Sequence, residues 1–118
     1  MAKIIIVDDS RILRKILNTT LTDAGHEILG EAGNGEEALQ LIEELSPELV
    51  TLDITMPIMD GLTCLKEIKA RFPKVKVVMV SAAGQKNKVM EALKSGASDF
   101  LQKPFEPADV TRVISKLL

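Results

Sequence analysis

The sequence predicts a doubly wound α/β fold, and three features carry that prediction. Short apolar runs alternate five times with segments of helical period. The first, third and fourth runs are continuously apolar, as strands covered on both faces of a parallel sheet must be. No linker, low-complexity tract or internal repeat interrupts the alternation, so residues 1–118 read as one domain with no separate output domain.

The first strand lies in "KIIIVDD". In "SRILRKILNTTLTDAG" the apolar residues Ile12, Leu13, Ile16, Leu17 and Leu21 recur at the spacing of one helix face. Gly25 suits the stop, because glycine takes positive φ after a last turn. "HEILGEAG" reads as the second strand. Asn34 then resembles an N-cap with Glu37 three residues on, opening a helix that carries Ala38, Leu41, Ile42 and Leu45. "PELVTLDI" is the third strand. Asp60 and Gly61 begin the next helix, with Leu62, Leu65 and Ile68 inward and Pro73 marking its end.

"VKVVMVSAA" is the fourth strand, and the helix in "QKNKVMEALKSG" ends at Gly96. "SDFLQK" is the fifth strand. "PADVTRVISKLL" closes the chain with Val110, Val113, Ile114 and Leu117 on its apolar face. Pro107 suits the first turn, where the missing N–H has no partner to lose. The second and fifth strands are mixed in polarity, as edges should be. Right-handed crossovers then favour a flavodoxin-like, doubly wound (βα)5 arrangement. Its five-stranded parallel sheet runs in order 2-1-3-4-5, with helices on both faces.

Composition narrows the function. Apolar residues make up 46% and charged residues 27%, an ordinary soluble balance. Aromatic content is 3%, with no Trp or Tyr, so few side chains are available to stack on bases and no nucleic-acid partner is expected. No segment reaches the length of a membrane span, the start "MAKIIIVDDS" is unlike a signal peptide, and Cys64 has no cysteine to pair with. A cytoplasmic protein and a monomer are expected. His26, the only histidine, reads as a turn residue, and Met56, Met59, Met79 and Met90 as packing. The net charge of −2 conceals −8 over residues 1–60 and +6 over residues 61–118. Either solvated faces simply differ, or an acidic centre faces a basic partner surface in the second half.

In a sheet of this order, ligands sit beyond the carboxyl ends of the strands, near the switch in strand order. The first strand ends at Asp8 and Asp9, the third at Asp53, the fourth at Ser81 and the fifth at Lys103. Three carboxylates in one crevice repel each other, and a hard divalent cation relieves that better than protonation at neutral pH. Mg²⁺ suits such a site, since it takes one or two carboxylates and keeps room for phosphate oxygens. Asp53 then has the setting of a carboxylate nucleophile toward phosphorus, and it carries no proton that a base must remove. Asp9 and Asp53 would hold the metal, with Asp8 helping through water.

The motifs "IIIVDDS", "VTLDITMPIMDG", "VMVSAAG" and "DFLQKPF", in that order, resemble the receiver domains of two-component response regulators, most nearly the single-domain chemotaxis type. The resemblance covers essentially the whole chain. It implies that Asp53 is the phosphoacceptor, that Asp8 and Asp9 serve Mg²⁺, and that the Thr55 backbone carbonyl is a metal ligand. It also implies that Ser81 is the switch hydroxyl, Lys103 the phosphoryl-contacting lysine and Lys103–Pro104 a cis peptide. The phosphoryl group would come from a histidine kinase or a small acyl phosphate. The output would be protein binding, for example to a flagellar motor switch component.

Ser81 replaces the commoner threonine and keeps the hydroxyl. Phe100 stands where chemotaxis members often have tyrosine; its ring can turn inward but offers a partner no hydroxyl. Lys86, Lys88, Lys94, Arg112 and Lys116 surround the fifth strand, where receiver domains commonly bind output partners. Slow self-dephosphorylation is expected without conventional enzyme activity.

Other readings fit less well. A phosphorelay intermediate, or a receiver belonging to a longer regulator such as a chemotaxis methylesterase, shares the same chemistry. A haloacid-dehalogenase-type phosphatase needs an acid two residues after its nucleophile, where this chain has Thr55. A flavin carrier needs a phosphate loop where Asp8 and Asp9 would repel the ligand.

Overall fold

The computed structural model describes residues 1–118. Strands and helices alternate as β1 (Lys3–Val7), α1 (Arg11–Asp23), β2 (Glu27–Ala32), α2 (Gly35–Leu45) and β3 (Leu49–Asp53). The second half continues with α3 (Gly61–Arg71), β4 (Lys76–Ser81), α4 (Lys86–Lys94), β5 (Asp99–Gln102) and α5 (Pro107–Leu117). All neighbouring strands are parallel, and the sheet runs β2-β1-β3-β4-β5. The sequence expectation for fold and strand order holds. No helix is long and apolar enough to cross a membrane.

Period-two alternation divides the core into two layers. Ile5, Val7, Val50, Leu52, Val77 and Met79 point to the face covered by α2, α3 and α4. Ile4, Ile6, Leu49, Val78 and Leu101 point to the face covered by α1 and α5. Cys64 is fully buried in the first layer, where burial pushes its thiol up to about 12 and keeps it protonated. Thr51 interrupts the second layer with a buried hydroxyl that has no hydrogen-bond partner.

Local signals set most helix ends. Ser10 Oγ accepts the Leu13 N–H at 3.3 Å, Asn34 Oδ1 the Glu37 N–H at 3.0 Å, and Asp60 Oδ1 the Thr63 N–H at 2.9 Å. Glu37 turns back to the Gly33 N–H rather than to that of Asn34, one residue beyond a standard capping box. Helix α1 ends in a Schellman motif: Gly25 has φ +93°, its N–H donates to Thr22 O, and the His26 N–H donates to Leu21 O. His26 lies in that turn, and its Nδ1 accepts the Ala2 N–H at 3.0 Å.

Two packing expectations need correction. Ile12 and Ile16 are 73% and 45% exposed, because α1 meets the sheet along the row Leu13, Leu17 and Leu21. The other two isoleucines lie one position off that row, about 100° around the helix. Met90 is 50% exposed for the same reason: α4 docks through Val89 and Ala92.

Gly61 fastens α3 to the end of β3. Its N–H donates to Ile54 O at 2.7 Å, and a Cβ there would lie 2.1 Å from the carbonyl oxygen of Asp53. Gly61→Ala is expected to destabilise the fold by about 3 kcal/mol, read as a lower urea midpoint at unchanged slope. Thr51→Val removes the unpartnered hydroxyl at constant shape and is expected to raise stability by about 1 kcal/mol in the same assay.

Candidate functional site

Strand register assembles the acids. Val7 pairs with Leu52, so Asp8, the next residue, comes level with Asp53. Asp8 continues the alternation of Ile4 and Ile6, and Asp53 that of Leu49 and Thr51, so both carboxylates lie toward the α1–α5 face. Carboxylate oxygens of Asp8, Asp9 and Asp53 lie within 4.8 Å of one another. Asp8 is fully buried and Asp53 is 4% exposed, whereas Asp9 faces solvent.

Lys103 answers these charges from the far side of β4. Its Nζ lies 3.5 Å from Asp8 Oδ2 and 3.6 Å from Asp53 Oδ2. Backbone pairing delivers it: Ser81 pairs with Gln102, and the Lys103 N–H donates to Ser81 O at 2.7 Å. The Lys103–Pro104 peptide is cis, as the resemblance implies. Asp8 Oδ1 accepts the Ser10 N–H at 2.8 Å, but its buried Oδ2 has no hydrogen bond. One ammonium facing three acids leaves the pocket short of positive charge, and a buried carboxylate oxygen held only by a 3.5 Å ion pair suits a further cation. The donor set fits a hard divalent ion.

Burial pushes the Asp53 carboxyl up to about 6, and Asp8 adds to the rise. Lys103 and the Thr55 N–H, which donates to Asp53 Oδ1 at 3.4 Å, partly oppose it. Ser81 is buried at the end of β4, where its hydroxyl reaches Leu101 O only at 3.5 Å. Phe100 is 38% exposed and borders a groove with Ser81, Val89, Met90 and Leu93.

Three residues beside the site have no signal in the linear pattern. Arg14 on α1 reaches back to the Asp8 carbonyl at 2.5 Å and pairs with Glu31 at 3.1 Å, which ties the turn carrying the acids to β2. Gln85 joins the loops that follow β3 and β4. Ile58 has φ 68° within a three-residue turn closed from the Met59 N–H to Pro57 O at 2.7 Å. A lone arginine, glutamine or isoleucine is ordinary surface until the fold shows its partner.

The five basic residues around β5 are all exposed. Arg112 pairs with Asp109 at 3.1 Å and Lys116 with Asp99 at 3.5 Å, while Lys86, Lys88 and Lys94 make no ion pair. The surface is therefore basic mainly along α4 and mixed along α5.

The doubly wound sheet thus gathers these acids, the buried hydroxyl and the lysine at its carboxyl edge. The model of the response regulator receiver domain family matches residues 4–115, and the chain belongs to that family. It is 45% identical over 115 residues to the chemotaxis protein CheY of Thermotoga maritima, covering 98% of this chain and 96% of that protein. Among solved structures it resembles the CheX-CheY-BeF3-Mg+2 complex from Borrelia burgdorferi, with TM-score 0.93, 38% identity and coverage of 98% of this chain and 87% of that one. NtrX from Brucella abortus matches with TM-score 0.93 and 37% identity; 98% of this chain aligns, spanning only 26% of NtrX.

The Asp53 shift makes a stability prediction. A carboxyl whose pKa is raised from 3.8 to about 6 on folding loses its stabilising share as pH climbs through that window. In chelator-treated protein near pH 7, Asp53→Asn is therefore expected to raise stability by on the order of 2 kcal/mol. Thermal melts should show the gain shrinking to nothing as pH falls toward about 4.

Proposed function

We propose that the chain is a phosphorylation-activated response regulator that accepts a phosphoryl group on Asp53 and signals by binding another protein. The observation that carries this reading is Lys103 Nζ within 3.6 Å of both Asp8 and Asp53, beside a buried Asp8 oxygen without a hydrogen bond. A carboxylate oxygen of Asp53 attacks phosphorus while the bond from phosphorus to the donor's imidazole nitrogen breaks. The electron pair leaves with the imidazole, and no base is needed. Asp9, Asp53 and the Thr55 carbonyl, assisted by Asp8, would hold Mg²⁺, which would neutralise charge on the oxygens of the transferring group.

Lys103 adds fixed positive charge on the opposite side of the acids. Ser81 has a hydroxyl whose contact with Leu101 O is weak, so it is free to turn toward a phosphoryl oxygen. Its departure opens space toward the groove beside Phe100, and the ring turns inward. The surface carrying Lys86, Lys88, Lys94, Arg112 and Lys116 then presents a different face to the target.

The donor in this reading is a histidine kinase, and the setting is cytoplasmic chemotaxis signalling with a motor-switch type of target. The names of the full-length relatives support the chemotaxis setting. The alternatives are a phosphorelay intermediate and the receiver of a longer regulator; the match to 26% of the length of NtrX supports the latter. Thr55 supplies no carboxyl to act as the general acid of a phosphatase.

Incubation with acetyl phosphate and Mg²⁺, followed by intact mass, is expected to show one added, hydroxylamine-labile phosphoryl group. Asp53→Ala should remain unmodified, and chelation should abolish labelling of the wild type. Equal labelling of wild type and Asp53→Ala would overturn the assignment.

A further inference from the structure

One side chain bridges the two loops that border Asp53. Gln85 Nε2 donates to Thr55 Oγ1 at 2.7 Å, and Gln85 Oε1 accepts the Ala82 N–H at 2.7 Å. Gly84, with φ +83°, reverses the chain and lets Gln85 fold back over the residue after Ser81. Because Asp53 pairs with Val80 across β3 and β4, the carboxamide spans the gap between the carboxyl ends of those strands. The Thr55 N–H donates in turn to Asp53 Oδ1. A continuous chain of hydrogen bonds thus runs from the acceptor carboxylate through Thr55 and Gln85 to Ala82.

This use of Gln85 is not helix capping. It occupies the N-cap position of α4, yet its side chain makes no capping hydrogen bond. Both polar ends of the amide are spent between loops. The Thr55 hydroxyl is the rim group nearest in sequence to Asp53, and Gln85 holds it as an acceptor.

We propose that Gln85 is a positioning residue that prolongs the life of the aspartyl phosphate by tethering Thr55 across the route of the attacking water. The inference rests on Asp53 being the acceptor. In the step concerned, a bond forms between water oxygen and phosphorus, and the bond from Asp53 oxygen to phosphorus breaks. The electron pair stays on the Asp53 carboxylate; one water proton remains on the inorganic phosphate and the other goes to solvent. In-line attack requires water on the side of phosphorus away from Asp53, toward the mouth where the bridge lies.

Gln85→Met keeps the length of the side chain and removes the amide. After labelling with acetyl phosphate and Mg²⁺ and rapid removal of the donor, intact mass is expected to decay about fivefold faster in Gln85→Met, the effect of one ordinary hydrogen bond. Thr55→Val should accelerate decay similarly, and the double variant should be no faster than either single one, because both remove the same contact. In metal-free protein, hydrogen exchange at the Ala82 amide should quicken in Gln85→Met while melting temperature is unchanged.

Unchanged decay in Gln85→Met, with wild type labelled on Asp53, would overturn the inference and leave the acceptor assignment standing. Independent, multiplicative effects of the two substitutions would also overturn it. Labelling that persists in Asp53→Ala would overturn both.

Discussion

Mutual repulsion among three carboxylates at the end of a parallel sheet is the constraint around which this molecule is organised. Two unit charges a few ångströms apart interact by roughly 4 kcal/mol even at an effective dielectric constant near 20. Asp8 and Asp53 cannot escape it by moving apart, because the pairing of Val7 with Leu52 sets their separation and both are buried. Lys103 offsets part of the repulsion, but burial, with Asp8 adding to it, still raises the affinity of Asp53 for a proton. Such an arrangement of acids suits a hard cation.

The surroundings are unequal in how firmly they hold. Asp60 caps α3, and Gly61 presses it against the carbonyl of Asp53. The Thr63 N–H holds the Asp60 carboxyl below the usual carboxylate range, so the cap stays charged. Arg14 locks the turn after β1 through the Asp8 carbonyl. Helix α4 is held more lightly: Val89 and Ala92 are its buried residues, and its N-terminus lacks a side-chain cap. A change of charge at Asp53 therefore meets firm walls on the β1 and β3 sides and a weakly anchored element beyond β4.

Fold and acidic centre were legible in sequence for related reasons. Continuous apolar runs such as "KIIIV" and "KVVMV" are unambiguous when strands are buried on both faces. An acid directly after such a run must lie at the sheet's edge, which identified Asp8, Asp9 and Asp53 together. Burial along α1 was less legible, since periodicity defines a face but not how wide a stripe the neighbouring sheet covers. Ile12 and Ile16 matched the pattern and still face solvent.

From the linear chain alone came the alternation of elements, the strand order, the cap at Asn34, the helix start at Asp60, and the residue types gathered at the carboxyl edge. These follow from local propensity and from chirality rules that act on any chain of this pattern. Only the tertiary structure decided that Lys103 reaches two acids at once, that an oxygen of Asp8 is left without a hydrogen bond, and that Arg14 and Gln85 brace the loops. Such contacts join residues distant in sequence through flexible polar side chains. Their partners are chosen by register and loop geometry, and no periodicity in the chain records that choice.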